Sequence, residues 1–334
     1  MAIFLRGPIG AIAVGAIMIV TGGGALAQRV GLSPECRQPI RDQCATAADR
    51  RSCIMRVMQS LPDDCRKQIS AAAAARAPRP QGMVEHAYGR DPAQKLDLKR
   101  AASVARAPLI VFIHGGGWSI GDKGQAVGAK ADHFTATGFA FASVNYRLVP
   151  QATVEQQAAD IAAAIAWLRV NAAAQGIDPN RIILMGHSAG AHLAALVASD
   201  PAFLAAAKVP FAALKGAVLL DGAGYDVATQ MASPVTRVGA MYGAAFGTDP
   251  ARHRRLSPLH HAAAPNAPSW LILAVAQRRD SSAQGQALAA ALTRAGSKAH
   301  MVPVPDSSHA KLNHQLGTAG DFATARVDAF LGTL

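Results

Sequence analysis

The sequence predicts an α/β fold: a mostly parallel sheet with helices on both faces, preceded by a small disulfide-linked helical module. Three observations predict it. Continuous apolar runs of strand length recur between residues 108 and 304. Segments of helical length and patterning separate them, which is the alternation that builds parallel sheets. All four cysteines fall within the thirty residues from Cys36 to Cys65.

Pro108–His114, Phe139–Tyr146, Arg181–Gly186, Lys215–Leu220, Ser269–Ala274 and Ala299–Val304 read as strands. Their runs lack polar alternation, as strands covered on both faces should. Between them, Ala152–Ala174 places Ile161, Ile165 and Leu168 on one helical face. Further helices are expected at Ser188–Ala198, Ser282–Ala295 and Asp321–Leu334. This domain occupies residues 83–334. The segment 71–82 (AAAAARAPRPQG) loses periodicity and gains proline, as a linker does.

The 334 residues are 51% hydrophobic and 16% charged, enough for a sizeable core and unlike a disordered chain. The formal charge is +12, but the basic residues are scattered, without the Lys/Arg runs or aromatic-basic stripe of a nucleic-acid binder. Residues 1–27 have the form of a signal peptide. Arg6 supplies the charge, Ile9–Val20 the apolar run, and Ala25-Leu26-Ala27 the cleavage pattern before Gln28. The run is short and glycine-rich for a membrane span; an uncleaved anchor is the alternative. The expected location is the periplasm or the exterior.

In an oxidising compartment four cysteines read as two disulfides. The spacings lack the close C-x-x-C pairs of a zinc site. Within a cysteine-rich module over 28–70, residues 33–70 are expected to form a helical hairpin in which Cys44 pairs with Cys53 and Cys36 with Cys65. Four cysteines allow three connectivities, and the nested one suits a hairpin. Each bridge contributes about 3 kcal/mol, which so small a module needs. The module is similar to a cysteine-rich repeat of some Golgi and bacterial exported proteins. That similarity implies no activity; an envelope or protein partner is one use for such a module.

Gly186-His187-Ser188-Ala189-Gly190 lies between an expected strand and an expected helix, the setting of a nucleophile elbow. Ser188 is the expected nucleophile. Upstream, His114-Gly115-Gly116-Gly117-Trp118 follows a strand. Glycines let backbone N–H groups turn inward, so Gly115, Gly116 and Gly117, with Ala189, are the expected oxyanion donors. His114 is expected to brace the loop. No G-x-G-x-x-G or G-K-[ST] pattern supports a phosphate loop instead.

The base should follow the last strand. His309 does so; His314 is its neighbour and competitor, whereas His187 and His192 adjoin the serine too closely to serve. Asp280, after the Ser269–Ala274 strand, is the expected acid, with Asp221 and Asp226 after the preceding strand as alternatives. Asp280 also suits a helix cap or first turn. Trp118 and His187 are expected to contact substrate. The segment 227–255, with Met231, Val235, Met241, Tyr242 and Phe246, reads either as a small cap over the pocket or as ordinary helix packing.

Together His114–Trp118, Asn145-Tyr146-Arg147-Leu148, Gly186–Gly190, Asp280 and His309 resemble the α/β-hydrolase esterases of the hormone-sensitive-lipase-like and carboxylesterase/kynurenine-formamidase-like groups. Tyr88-Gly89, Leu96-Asp97-Leu98, Leu220–Asp226 and Asn313–Gly317 carry the same resemblance. It implies hydrolysis of a small-molecule ester or amide by a Ser-His-Asp triad, with no metal and no organic cofactor. Arylformamidase, polysaccharide deacetylase, feruloyl esterase and a non-catalytic binding protein are the alternatives on the same scaffold.

Overall fold

The computed structural model describes residues 32–46, 53, 57–58, 60–62, 64–66, 68–69, 81–232, 239–263 and 265–334. The expected signal segment 1–27, most of the expected linker and Val235 lie outside the described residues. Eight strands form one sheet in the order β1-β2-β4-β3-β5-β6-β7-β8. They are β1 (Val84–Ala87), β2 (Lys95–Lys99), β3 (Ala107–Ile113), β4 (Ala140–Val144), β5 (Ile177–His187), β6 (Leu214–Leu220), β7 (Ser269–Val275) and β8 (Lys298–Val304). β1 and β2 are antiparallel, and every pairing from β4 to β8 is parallel.

The six expected strands are thus all present. β3, β4 and β6 are buried, or nearly so, along their whole length, which explains their unbroken apolar runs. The two antiparallel strands at the edge escape that pattern because they are short and carry Glu85, Lys95, Asp97 and Lys99. Side chains alternate between the faces, so β3 divides its core residues. Leu109, Val111 and Ile113 pack with the helix Val154–Val170 on one side. Ile110 and Phe112 pack with the C-terminal helix Phe322–Leu331 on the other.

The N-terminal module contains a helix at Pro34–Cys44 and disulfides Cys36–Cys65 and Cys44–Cys53, the nested pairing. Its small core includes Ile40, Val57, Met58, Leu61 and Ile69, and it is completed by Ile120 of the main domain. Among the described residues no helix is long and apolar enough to cross a membrane.

The motif residues Tyr88, Asp97, Asn145, Tyr146 and Arg147 act as clasps. Tyr88 donates to the Asn145 carbonyl at 2.6 Å, and Tyr146 donates to the His114 carbonyl at 2.9 Å. Arg147 forks onto Asp160, and Lys123 pairs with buried Asp97. These bonds fix the segment that follows β3 to the ends of β2 and β4.

Candidate active site

Ser188 stands at the C-terminal end of β5, where the chain turns into the helix Ala189–Ser199. Its φ of +57° is a strained value for a residue with a side chain. The flanking glycines are required by contact: a Cβ on Gly186 would meet the Gly190 carbonyl oxygen at 2.1 Å, and one on Gly190 the Ile113 carbonyl oxygen at 2.1 Å. The motif therefore reports two close backbone approaches, and these lift Ser188 clear of the sheet.

His309 begins the helix His309–Gln315 after β8. Its Nε2 lies 3.0 Å from Ser188 Oγ, and its Nδ1 lies 2.6 Å from Asp221 Oδ2. His314 sits in the last turn of that helix, on its exposed side.

The carboxylate that faces His309 is not the expected one. Asp280 lies in the first turn of the helix Arg279–Arg294 and pairs with Arg278 at 3.3 Å. The helix starts three residues before the expected Ser282, which draws Asp280 into its first turn. Asp221, directly after β6, faces His309 instead. Its N–H donates to the Leu273 carbonyl at 2.7 Å, and its Oδ1 accepts from the Val275 N–H at 3.0 Å. Asp221 is buried, which alone would raise its pKa. The His309 hydrogen bond, the Arg278 guanidinium and the Val275 N–H outweigh burial and hold the carboxyl well below the usual range. The alternative Asp226 caps the helix Val227–Met231 through the Thr229 N–H.

The glycine loop backs onto the serine. A Cβ at Gly115 would come within 3.0 Å of Ser188 Cβ. Gly116 and Gly117 have φ of +127° and +58°. Among the described residues, no acceptor takes the N–H of Gly116, Gly117 or Ala189, and the last begins a helix, where N–H groups have no intrahelical partner.

Trp118 and His187, expected at the substrate, face inward. Trp118 is 1% exposed and packs edge-on against His192, Tyr242 and Phe246. Its indole N–H donates to His192 Nδ1 at 3.3 Å, and His192 Nε2 donates to the Leu256 carbonyl at 2.8 Å. Burial lowers the pKa of His192 to about 4, consistent with this neutral tautomer. His187 lies under His309, with ring centroids 4.5 Å apart and its Nε2 2.8 Å from the His309 carbonyl. Burial, then the nearby His309, keep its pKa well below normal. Both residues support the site from behind, because the elbow and the tight glycine turn direct them into the core. His114 likewise braces its loop, stacked on Tyr146 with Nδ1 2.7 Å from the Gly115 carbonyl.

One neighbour went unread in the sequence. Arg278 touches both Asp221 and His309; one of two arginines in an RRD run gave no signal. Met241, which the sequence offered as a residue of either a cap or ordinary packing, lies on the helix Gly239–Phe246 and overhangs Gly117, so that a Cβ there would meet its sulfur at 2.3 Å.

The BD-FAE family matches residues 96–292, more than half of the chain. Esterase LipQ of Mycobacterium tuberculosis is 30% identical over 227 residues, 64% of this chain and 53% of that protein. The isoprenylcysteine alpha-carbonyl methylesterase ICME of Arabidopsis thaliana is 39% identical over 111 residues, 32% of this chain and 25% of that protein. The chain thus spans about a quarter to a half of the length of these curated relatives. Among solved structures, Thermogutta terrifontis esterase 2 phosphonylated by sarin is 25% identical, with a TM-score of 0.64 over 77% of this chain and 96% of that one. Esterase B of Lactobacillus rhamnosis shares the fold, with a TM-score of 0.63 and 23% identity over 80% of this chain and 90% of that one.

Proposed function

Because the chain belongs to the BD-FAE family of α/β-hydrolase esterases, we propose that it cleaves small carboxylic esters, with Ser188 as nucleophile, His309 as base and Asp221 as acid. The observation that carries this reading is the continuous path from Ser188 Oγ through His309 to buried Asp221, at 3.0 and 2.6 Å. Ser188 Oγ attacks the ester carbonyl as His309 Nε2 takes its proton. Asp221 stabilises the imidazolium and holds Nδ1–H toward itself. The Gly116, Gly117 and Ala189 N–H groups receive the oxyanion, with Gly115 behind them; one such donor is worth about 3 kcal/mol in kcat. His309 returns the proton to the leaving alkoxide, and water then releases the acid from Ser188 by the same route.

The phosphonylated state of the Thermogutta esterase supports a reactive nucleophile in the shared fold. The test is covalent labelling with a fluorophosphonate, followed by mass spectrometry. The label is expected on the Ser188 peptide, and Ser188→Ala should lose both labelling and at least about 1,000-fold of p-nitrophenyl butyrate hydrolysis. Full activity in folded Ser188→Ala refutes the assignment. The two disulfides also support export to the periplasm or beyond, where such bonds persist.

A further inference from the structure

Arg278 is the one basic side chain seen to touch both acid and base of the proposed triad, among the described residues. Its Nη1 lies 2.6 Å from Asp221 Oδ2 and 2.7 Å from His309 Nδ1, while Nδ1 lies 2.6 Å from that same Oδ2. The three atoms close a triangle that supports two proton arrangements.

In one, Nη1–H and Nδ1–H both donate to Oδ2, which a carboxylate oxygen can accept. His309 Nε2 then presents its lone pair to Ser188. In the other, Nη1–H donates to Nδ1. A guanidinium has no acceptor, so Nδ1 must be unprotonated and the proton sits on Nε2. His309 then donates to Ser188 and cannot take its proton. The position of one guanidinium therefore separates a working imidazole from an idle one. Asp280 Oδ2, 3.3 Å from Nη2, pulls that guanidinium from the far side.

We propose that Arg278 is a positioning residue that selects the tautomer of His309, and that Asp280 acts through it by drawing the guanidinium away from Nδ1. This rests on the reading of Ser188, His309 and Asp221 as a triad. The charged and titratable groups around the cluster are Asp221 and Tyr225 after β6, Arg278 and Asp280 after β7, His187 at the end of β5, Tyr242, which interacts with Arg278, and Lys130, which interacts with His187. Of these, Arg278 is the cation in contact with the imidazole. It opposes the imidazolium that Asp221 favours as the proton is transferred, so its charge should show in the pH dependence of the reaction.

The test uses the full chain and p-nitrophenyl butyrate, with kcat/KM followed from pH 4.5 to 9. In Arg278→Gln the acid limb should move up by about half to one pH unit. Arg278→Lys keeps the charge without the planar fork, so its limb should stay with the wild type while kcat falls several-fold. Asp280→Asn should lower kcat several-fold in the wild-type background and have no effect in Arg278→Gln. Coincident acid limbs for wild type and Arg278→Gln overturn the proposal, as does an Asp280→Asn effect of equal size in both backgrounds. If Arg278→Gln does not fold, unchanged kcat in Arg278→Lys overturns it. Wild type that neither hydrolyses the ester nor takes a fluorophosphonate on Ser188 fails the triad itself, a result distinct from these.

Discussion

Lys130 carries an amine into the interior, 0% exposed, above the Phe112 ring. It donates to the Ala126 and Asn313 carbonyls, and so ties the helix that begins with His309 to the segment after β3. Burial lowers its pKa to about 7. An unfolded lysine titrates near 10.4, so between these values the unfolded chain binds the extra proton and stability rises with pH. Lys130→Met removes this linkage. Denaturant unfolding from pH 7 to 10 should show the wild type gaining stability relative to the variant, by at most about 1.4 kcal/mol per pH unit. A difference independent of pH contradicts the neutral buried amine. The same scale explains why Trp118 and His187 are buried. Their motifs place them beside the nucleophile in sequence, but a positive φ at Trp118 and the elbow at Ser188 turn both rings inward.

At the scale of elements, the parallel strands were legible because double burial leaves nothing polar in them. β1 and β2 were not, because their residues alternate with charges that form the Glu85–Lys123–Asp97 cluster. The acid was ambiguous for a related reason. Asp221 and Asp280 both satisfy the order Ser, acid, His, and only the pairing of β6 with β7 and the early start of the helix Arg279–Arg294 separate them. The helix Gly239–Phe246 resolves the two readings of the segment 227–255 into one that holds both. Tyr242 and Phe246 are ordinary core behind Trp118, while Met241 overhangs Gly117 of the glycine loop. Shortening that one side chain should open space beside Gly117 for a longer acyl group. Met241→Ala is expected to raise kcat/KM for p-nitrophenyl octanoate relative to the acetate by several-fold; an unchanged ratio places the acyl group elsewhere.

Across the whole molecule, the sheet brings the ends of β5, β6 and β8 to one edge, and each delivers one member of the set: Ser188, Asp221 and His309. Reactive groups at the carboxyl ends of parallel strands are the general rule for open α/β sheets. The specific feature here is that β7 supplies a cation, Arg278, where the chain order had suggested an acid. The disulfide module meets the same edge through Ile120, four residues beyond Gly116, so the glycine turn has the elbow on one side and the module on the other. The assignment of the acid to β6 is the claim on which this layout turns. Its direct test is kcat for Asp221→Asn and Asp280→Asn, measured side by side on folded protein. A relay through Asp221 predicts a loss of about 10,000-fold for Asp221→Asn and less than about tenfold for Asp280→Asn; the reverse ranking would contradict it.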